Sequence, residues 1–120
     1  MTPDGRFGKR EHLLKTKDFR KVYGKGRSAK GGAIHLYCLP NGLGHTRIGF
    51  SIPSAAVKLA SARNRIRRLF REAFRHNKSA LAGGVDIVVV LNAALPKTAA
   101  LADAEKIFLK LAGQAGALNG

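Results

Sequence analysis

"VDIVVVL", residues 85–91, is apolar at every position except Asp86. A strand with one wet face alternates apolar with polar residues, and this run does not. It therefore predicts a central strand buried on both faces. Helices to cover it are found on either side in the sequence. "SARNRIRRLFREAFR", 61–75, places Ile66, Leu69, Phe70, Ala73 and Phe74 at i, i+3, i+4, i+7 and i+8, a single apolar stripe. Asn64, Arg67, Arg68, Arg71 and Arg75 fall on the opposite side, and Arg63 and Arg65 flank the stripe. One side of this helix docks on the sheet and the other is cationic. Pro53 and Ser54 open the helix, which runs to about Asn77, and "AGG" at 82–84 breaks the chain before the strand.

Further upstream, "AIHLYCL", 33–39, alternates Ile34, Leu36 and Cys38 with His35, Tyr37 and Leu39. "TRIGFSI", 46–52, alternates in the same way, and "PNGLGH", 40–45, is turn chemistry. The pair reads as an antiparallel hairpin. Thr16 caps a short helix with Phe19, Val22 and Tyr23 on one face, ended by "GKG" at 24–26. A last helix, about 98–112, buries Leu101, Ala104, Ile107, Phe108 and Leu111. Residues 1–15 are expected to be flexible and 113–120 to be a frayed tail. The reading is a single domain, 1–120, of the α+β class. It is a small α-β-β-α-β-α sandwich, one sheet covered by helices, with some strands parallel.

Composition narrows the function. The 120 residues are 45% hydrophobic, too many for a disordered tail. No apolar run approaches the ~20 residues of a membrane helix, and the first residues lack the apolar core of a signal peptide. Cys38 is the single cysteine, so neither an internal disulfide nor a multi-cysteine zinc site is expected, and the default compartment is cytoplasmic. Lys plus Arg number 22 against 7 for Asp plus Glu, a net charge of +15. The excess is concentrated in residues 1–30 and 57–78, the pattern of a footprint on a polyanion.

Catalytic constellations are missing from the sequence. There is no GxxxxGK phosphate loop and no Gly-x-Ser-x-Gly elbow. His12, His35, His45 and His76 have no metal-ligand spacing. His35 and His45 could approach across the hairpin, but a strand histidine on a wet sheet face is the favoured reading. Asp86 has no second carboxylate beside it for acid/base work. Cys38 reads as a small core residue. No catalytic or metal-binding residue is assigned. Nucleic-acid chemistry is better served. Arg67, Arg71 and Arg75 recur every four residues, and Glu72 is the one carboxylate within the helix. Phe19, Tyr23 and Tyr37, set among Lys15, Lys17, Arg20, Lys21 and Lys25, suit a basic groove with stacking platforms. On their spacing alone, Phe19 and Tyr23 read first as core anchors.

"RNRIRRLFREAFR", 63–75, closely resembles the signature helix of the bacterial ribonuclease P protein family. "LLKTKDFRKVYGKGRS", "HLYCLP", "RIGFSI" and "GVDIVVVL" are similar to that family's other elements, so the resemblance covers most of the chain. It implies a ribonuclease P protein-like sandwich with the left-handed, ribosomal-protein-S5-domain-2-like crossover. It further implies a non-catalytic subunit of a ribonucleoprotein endoribonuclease that removes the 5′ leader of precursor tRNA. In that family the catalytic RNA, with Mg²⁺ at its active site, performs the hydrolysis, and the protein alone holds no cofactor. Arg63, Asn64, Arg65, Arg67, Arg68 and Arg71 would contact the RNA subunit. Phe19, Tyr23, Tyr37, Lys15 and Lys17 would hold the leader. The partners implied are the catalytic RNA and precursor tRNA, with no membrane and a monomeric protein in the absence of RNA. The chain departs from the family at Ser54 and Ala55, where two lysines are usual, and at Asn92, where a basic residue is common. Two other readings stand beside this one: a structural RNA-binding protein of ribosomal type, and a self-sufficient basic nuclease.

Overall fold

The computed structural model describes residues 16–81, 83–93 and 100–118. Along them run α1 (Thr16–Lys25), β1 (Arg27–Gly31), β2 (Ile34–Pro40), β3 (Arg47–Ser51), α2 (Ala60–His76), β4 (Val85–Leu91) and α3 (Leu101–Gln114). The strands form one sheet in the order β1-β2-β4-β3. β4 pairs antiparallel with β2 and parallel with β3. The unalternating strand does lie inside the sheet, with Val85 to Val89 all buried.

The α+β class holds, and four details are corrected. β2 and β3 do not form a hairpin, because β4 is inserted between them. Both alternating strands can flank an all-apolar one, whereas β4 would leave apolar side chains and backbone groups in water at an edge. The 41–46 loop instead crosses the start of β4. Asn41 N–H donates to Gly84 O at 2.8 Å, and Gly84 sits at φ 74° so close to Leu43 O that a Cβ would come within 2.5 Å. The element order also gains a strand. β1, "RSAKG", buries only Ala29, so it carries almost no hydrophobic periodicity. Its signal was the Gly31-Gly32 pair, since Gly32 takes φ 57° in a two-residue turn into β2.

Third, α2 begins at Ala60, not at Pro53–Ser54. Pro53 O accepts from Ala56 and Val57 N–H in an isolated turn, and Leu59 is extended at φ −80°, ψ 128°. The cause is Val57, which is 2% exposed. On an unbroken helix it would stand about 180° from Ile66, so burying both requires a break. The tail expected to fray is folded as far as Leu118. Ala115 and Ala117 are fully buried, and Leu118 bridges to Leu81. The expected flexibility of residues 1–15 falls outside the described residues.

α3 lies over β1 and β2, and α2 lies over β3 and against α3. Phe70, Phe74 and Phe108 fill the core between them and Leu36, Ile48, Ile87 and Leu91. The other face of the sheet is covered by α1, where fully buried Val22 meets Val88 beside Phe19, Tyr37, Leu39 and Val90.

Candidate nucleic-acid interface

Two basic surfaces lie on opposite sides of the sheet. On α2 the apolar stripe is down, with Ile66, Phe70, Ala73 and Phe74 buried, and Asn64 and Arg68 stand exposed. Arg67 is held in register by its neighbour: Nη1 donates to Asn64 Oδ1 at 2.9 Å. Arg71 lies over the Phe50 ring of β3, 5.5 Å from its centroid. Burial first, and then the charge of Arg67, push its pKa below the ordinary guanidinium value. The helix-dipole rule favours acids in a first turn, yet α2 has none there. Its first turns thus carry arginines with no acidic residue of the helix itself among them.

Two arginines have other duties. Arg63 Nη1 donates to Val57 O at 2.8 Å and Lys58 O at 3.0 Å, tying down the turn that precedes the helix. Arg75 breaks the expected line of Arg67, Arg71 and Arg75, because its Nη2 reaches Glu72 Oε2 at 2.6 Å. That hydrogen bond is the main reason the Glu72 carboxyl is held below its ordinary value. His76 bridges the same end of α2 to Glu105 of α3 at 2.7 Å. The line of guanidinium groups is therefore shorter than the sequence suggests. Arg65 is half-buried on the flank.

The second surface lies beside α1. Phe19 and Tyr23 are one turn apart, with centroids 6.4 Å apart. Tyr23 meets Tyr37 of β2 edge-on at 5.0 Å. The three aromatic residues named from the sequence are thus adjacent across a helix and a strand. Phe19 is half-buried against Val22 and Val88, while Tyr23 is 40% exposed. Both earlier readings of Phe19 and Tyr23 have a place: one anchors, the other is open. Lys17, Arg20, Lys21 and Lys25 are exposed around them, while Lys15 lies outside the described residues. Ser54, Ala55 and Asn92 are exposed and bring no charge.

α1 is fixed to the sheet at both ends. At its C-terminus Gly26 N–H donates to Val22 O at 2.8 Å. A Cβ on Gly26 would come within 2.7 Å of Cys38 O, so only glycine lets the chain pass this close to β2. Near its N-terminus Asp18 Oδ2 lies 3.7 Å from Arg47 Nη1. Arg47 in turn grips Asp86, with Nε to Oδ1 at 2.8 Å and Nη2 to Oδ2 at 2.6 Å, and Asn41 Nδ2 donates to Oδ1 at 2.8 Å. This bond to Asp86 raises the Arg47 pKa above its ordinary value. Asp86 is 5% exposed and accepts three hydrogen bonds from Arg47 and Asn41, which ties β4 to β3 and to the loop after β2.

His35 and His45 do not meet as the hairpin would have allowed. His35 instead stacks on Tyr37, with ring centroids 4.3 Å apart. Cys38 is a buried core thiol, raised in pKa chiefly by that burial. Among the described residues no three His, Cys, Asp or Glu side chains gather as a metal site, and no helix is long and apolar enough to cross a membrane.

The Ribonuclease P family model matches residues 7–115. The ribonuclease P protein component of Azotobacter vinelandii is 42% identical over 85 residues, covering 70% of this chain and 65% of that protein. That of Chromobacterium violaceum is 34% identical over 110 residues, covering 89% and 90%. The chain spans a little under two thirds of several curated relatives it matches. Among solved structures, the RNase P protein of Staphylococcus aureus superposes with a TM-score of 0.78 at 27% identity, covering 91% of this chain and 98% of that one. The RNase P protein of Thermotoga maritima gives 0.69 at 26%, covering 84% and 94%.

Proposed function

We propose, from the premise that this chain belongs to the ribonuclease P protein family, that it is the protein subunit of a ribonucleoprotein that matures the 5′ end of tRNA. Its partners are the catalytic RNA and precursor tRNA. The RNA subunit, with Mg²⁺, performs the phosphodiester hydrolysis, and the protein supplies binding and position.

The observation that carries this reading is the division of the cationic surface into two. α2 offers Asn64, Arg67 and Arg68 without a carboxylate in its first turn, a surface suited to the phosphates of a folded RNA. Arg65 and Arg71 extend it. Arg63 contributes mainly by holding the turn before the helix. Across the sheet, Phe19, Tyr23 and Tyr37 with Lys17 form a narrower aromatic and basic cleft suited to an unpaired strand, the 5′ leader.

The test is cleavage of labelled precursor tRNA by the purified protein, the catalytic RNA, and both together, at a Mg²⁺ concentration where the RNA alone is slow. Stimulation that requires both components is expected. Tight binding to ribosomal RNA with no effect on cleavage would favour the ribosomal reading, and cleavage by the protein alone would favour the nuclease.

A further inference from the structure

The face of the sheet under α1 carries side chains in rows set by strand register. One row is Ser28, Tyr37, Val88 and Gly49, and the next is Lys30, His35, Val90 and Ser51. α1 covers the first row through Val22. In the second, His35 and Ser51 are only half-buried and Lys30 is exposed. Residues two apart on a strand are separated by about 6.8 Å, so this row continues the cleft past Tyr37.

The His35 ring belongs to the aromatic run. It is tilted 31° to Tyr37 at 4.3 Å, and Tyr37 Oη lies 3.2 Å from His35 Nδ1, fixing the imidazole against the phenol. Lys30 is the cross-strand partner of His35, so its side chain leaves the same face of the sheet next to that residue. Neither row contains a carboxylate. Asp86 lies on the same face one row beyond Tyr37, away from His35, and is held by Arg47 and Asn41.

We infer that the Lys30–His35–Ser51 row is an additional nucleotide subsite. His35 stacks the base of one more unpaired nucleotide, Lys30 holds its phosphate, and the occupant is the RNA strand that already passes Phe19, Tyr23 and Tyr37. A planar ring and a cation without a nearby acid form the smallest unit that grips a single-stranded nucleotide irrespective of base. The inference rests on the leader-cleft reading above.

The experiment uses the reconstituted holoenzyme, precursor tRNAs with leaders lengthened one nucleotide at a time, and mature tRNA. His35→Ala is expected to weaken binding of long-leader precursors by roughly five- to tenfold, the lower part of the range for one stacked base. Binding of the shortest-leader precursor and of mature tRNA should not change. His35→Phe should restore the long-leader affinity, and Lys30→Ala should flatten its salt dependence. If His35→Ala matches wild type at every leader length while Tyr37→Ala is weakened, the subsite is wrong and the leader cleft stands. If neither variant changes any leader, both are wrong. An equal loss for precursor and mature tRNA would make His35 a folding residue and overturn the subsite.

Discussion

Arg47 divides its guanidinium between carboxylates from different parts of the chain. Asp86, in the central strand, takes two short hydrogen bonds, and Asp18, on α1, takes the remaining edge at 3.7 Å. Removing the arginine strands a carboxylate that is 5% exposed. Breaking a buried pair from one side costs more than replacing both partners. Arg47→Ala is expected to lower stability by about 3 kcal/mol in urea unfolding, and Arg47→Ala with Asp86→Ala by less than the sum of the single changes. Glu72 gives a pH prediction. Its hydrogen bond from Arg75 holds its folded-state pKa below the ordinary 4.5. The stability it adds is present above 4.5 and disappears as pH falls through the lower folded value. Melting curves of Glu72→Gln should therefore differ from wild type at neutral pH and converge with it in acid. A constant difference down the acid range would reject the assignment. The clamp itself was invisible in the sequence. Asp18, Arg47 and Asp86 are far apart along the chain, and the register of β3 on β4 together with the docking of α1 brings them together.

The elements were legible wherever periodicity was carried by several large side chains. α2 is the clearest case: its stripe of Ile66, Phe70, Ala73 and Phe74 is buried as the spacing requires. Phe70→Ala is expected to cost about 3–5 kcal/mol, as for other fully buried aromatic residues, read by thermal or urea unfolding. Arg68, on the opposite side and exposed, should behave inversely. Arg68→Ala should leave stability within about 0.5 kcal/mol and reduce the slope of log K for the catalytic RNA against log salt by about 0.7–0.9. An unchanged slope in the titration would remove Arg68 from the interface. Reading failed where the periodic signal was thin or where pairing was at issue. β1 buries one alanine. The start of α2 was misplaced because Pro53-Ser54 is a good helix opening locally, and the demand that Val57 be buried overrides it. The hairpin failed because alternation shows which face of a strand is wet and leaves its neighbour undetermined. The site was legible to the same degree. Helical spacing is enough to put Phe19 and Tyr23 on one face of α1 and the arginines on α2, whereas the meeting of Tyr23 with Tyr37, Arg75's engagement with Glu72 and the stacking of His35 depend on rotamers and register.

At the scale of the molecule, a net charge of +15 on 120 residues opposes folding by self-repulsion. Screening relieves it. The melting temperature is therefore expected to rise as monovalent salt is increased from about 50 to 300 mM, a range over which the screening length shortens appreciably, and to rise further with an RNA ligand that binds only the folded state. A melting temperature that falls with salt would mean that the ion pairs around Arg47 and Arg75 outweigh the repulsion.

The sheet order carries a consequence for synthesis. β2 and β3 emerge from a ribosome before β4, yet in the finished sheet neither pairs with the other, since the slot between them belongs to residues made later. Until Leu91 has left the exit tunnel, the arginine helix has only half a platform, and its apolar stripe stays in water. The strand that completes the platform is thus made after the helix that rests on it, and the cationic helix reaches its finished place only once β4 has been inserted.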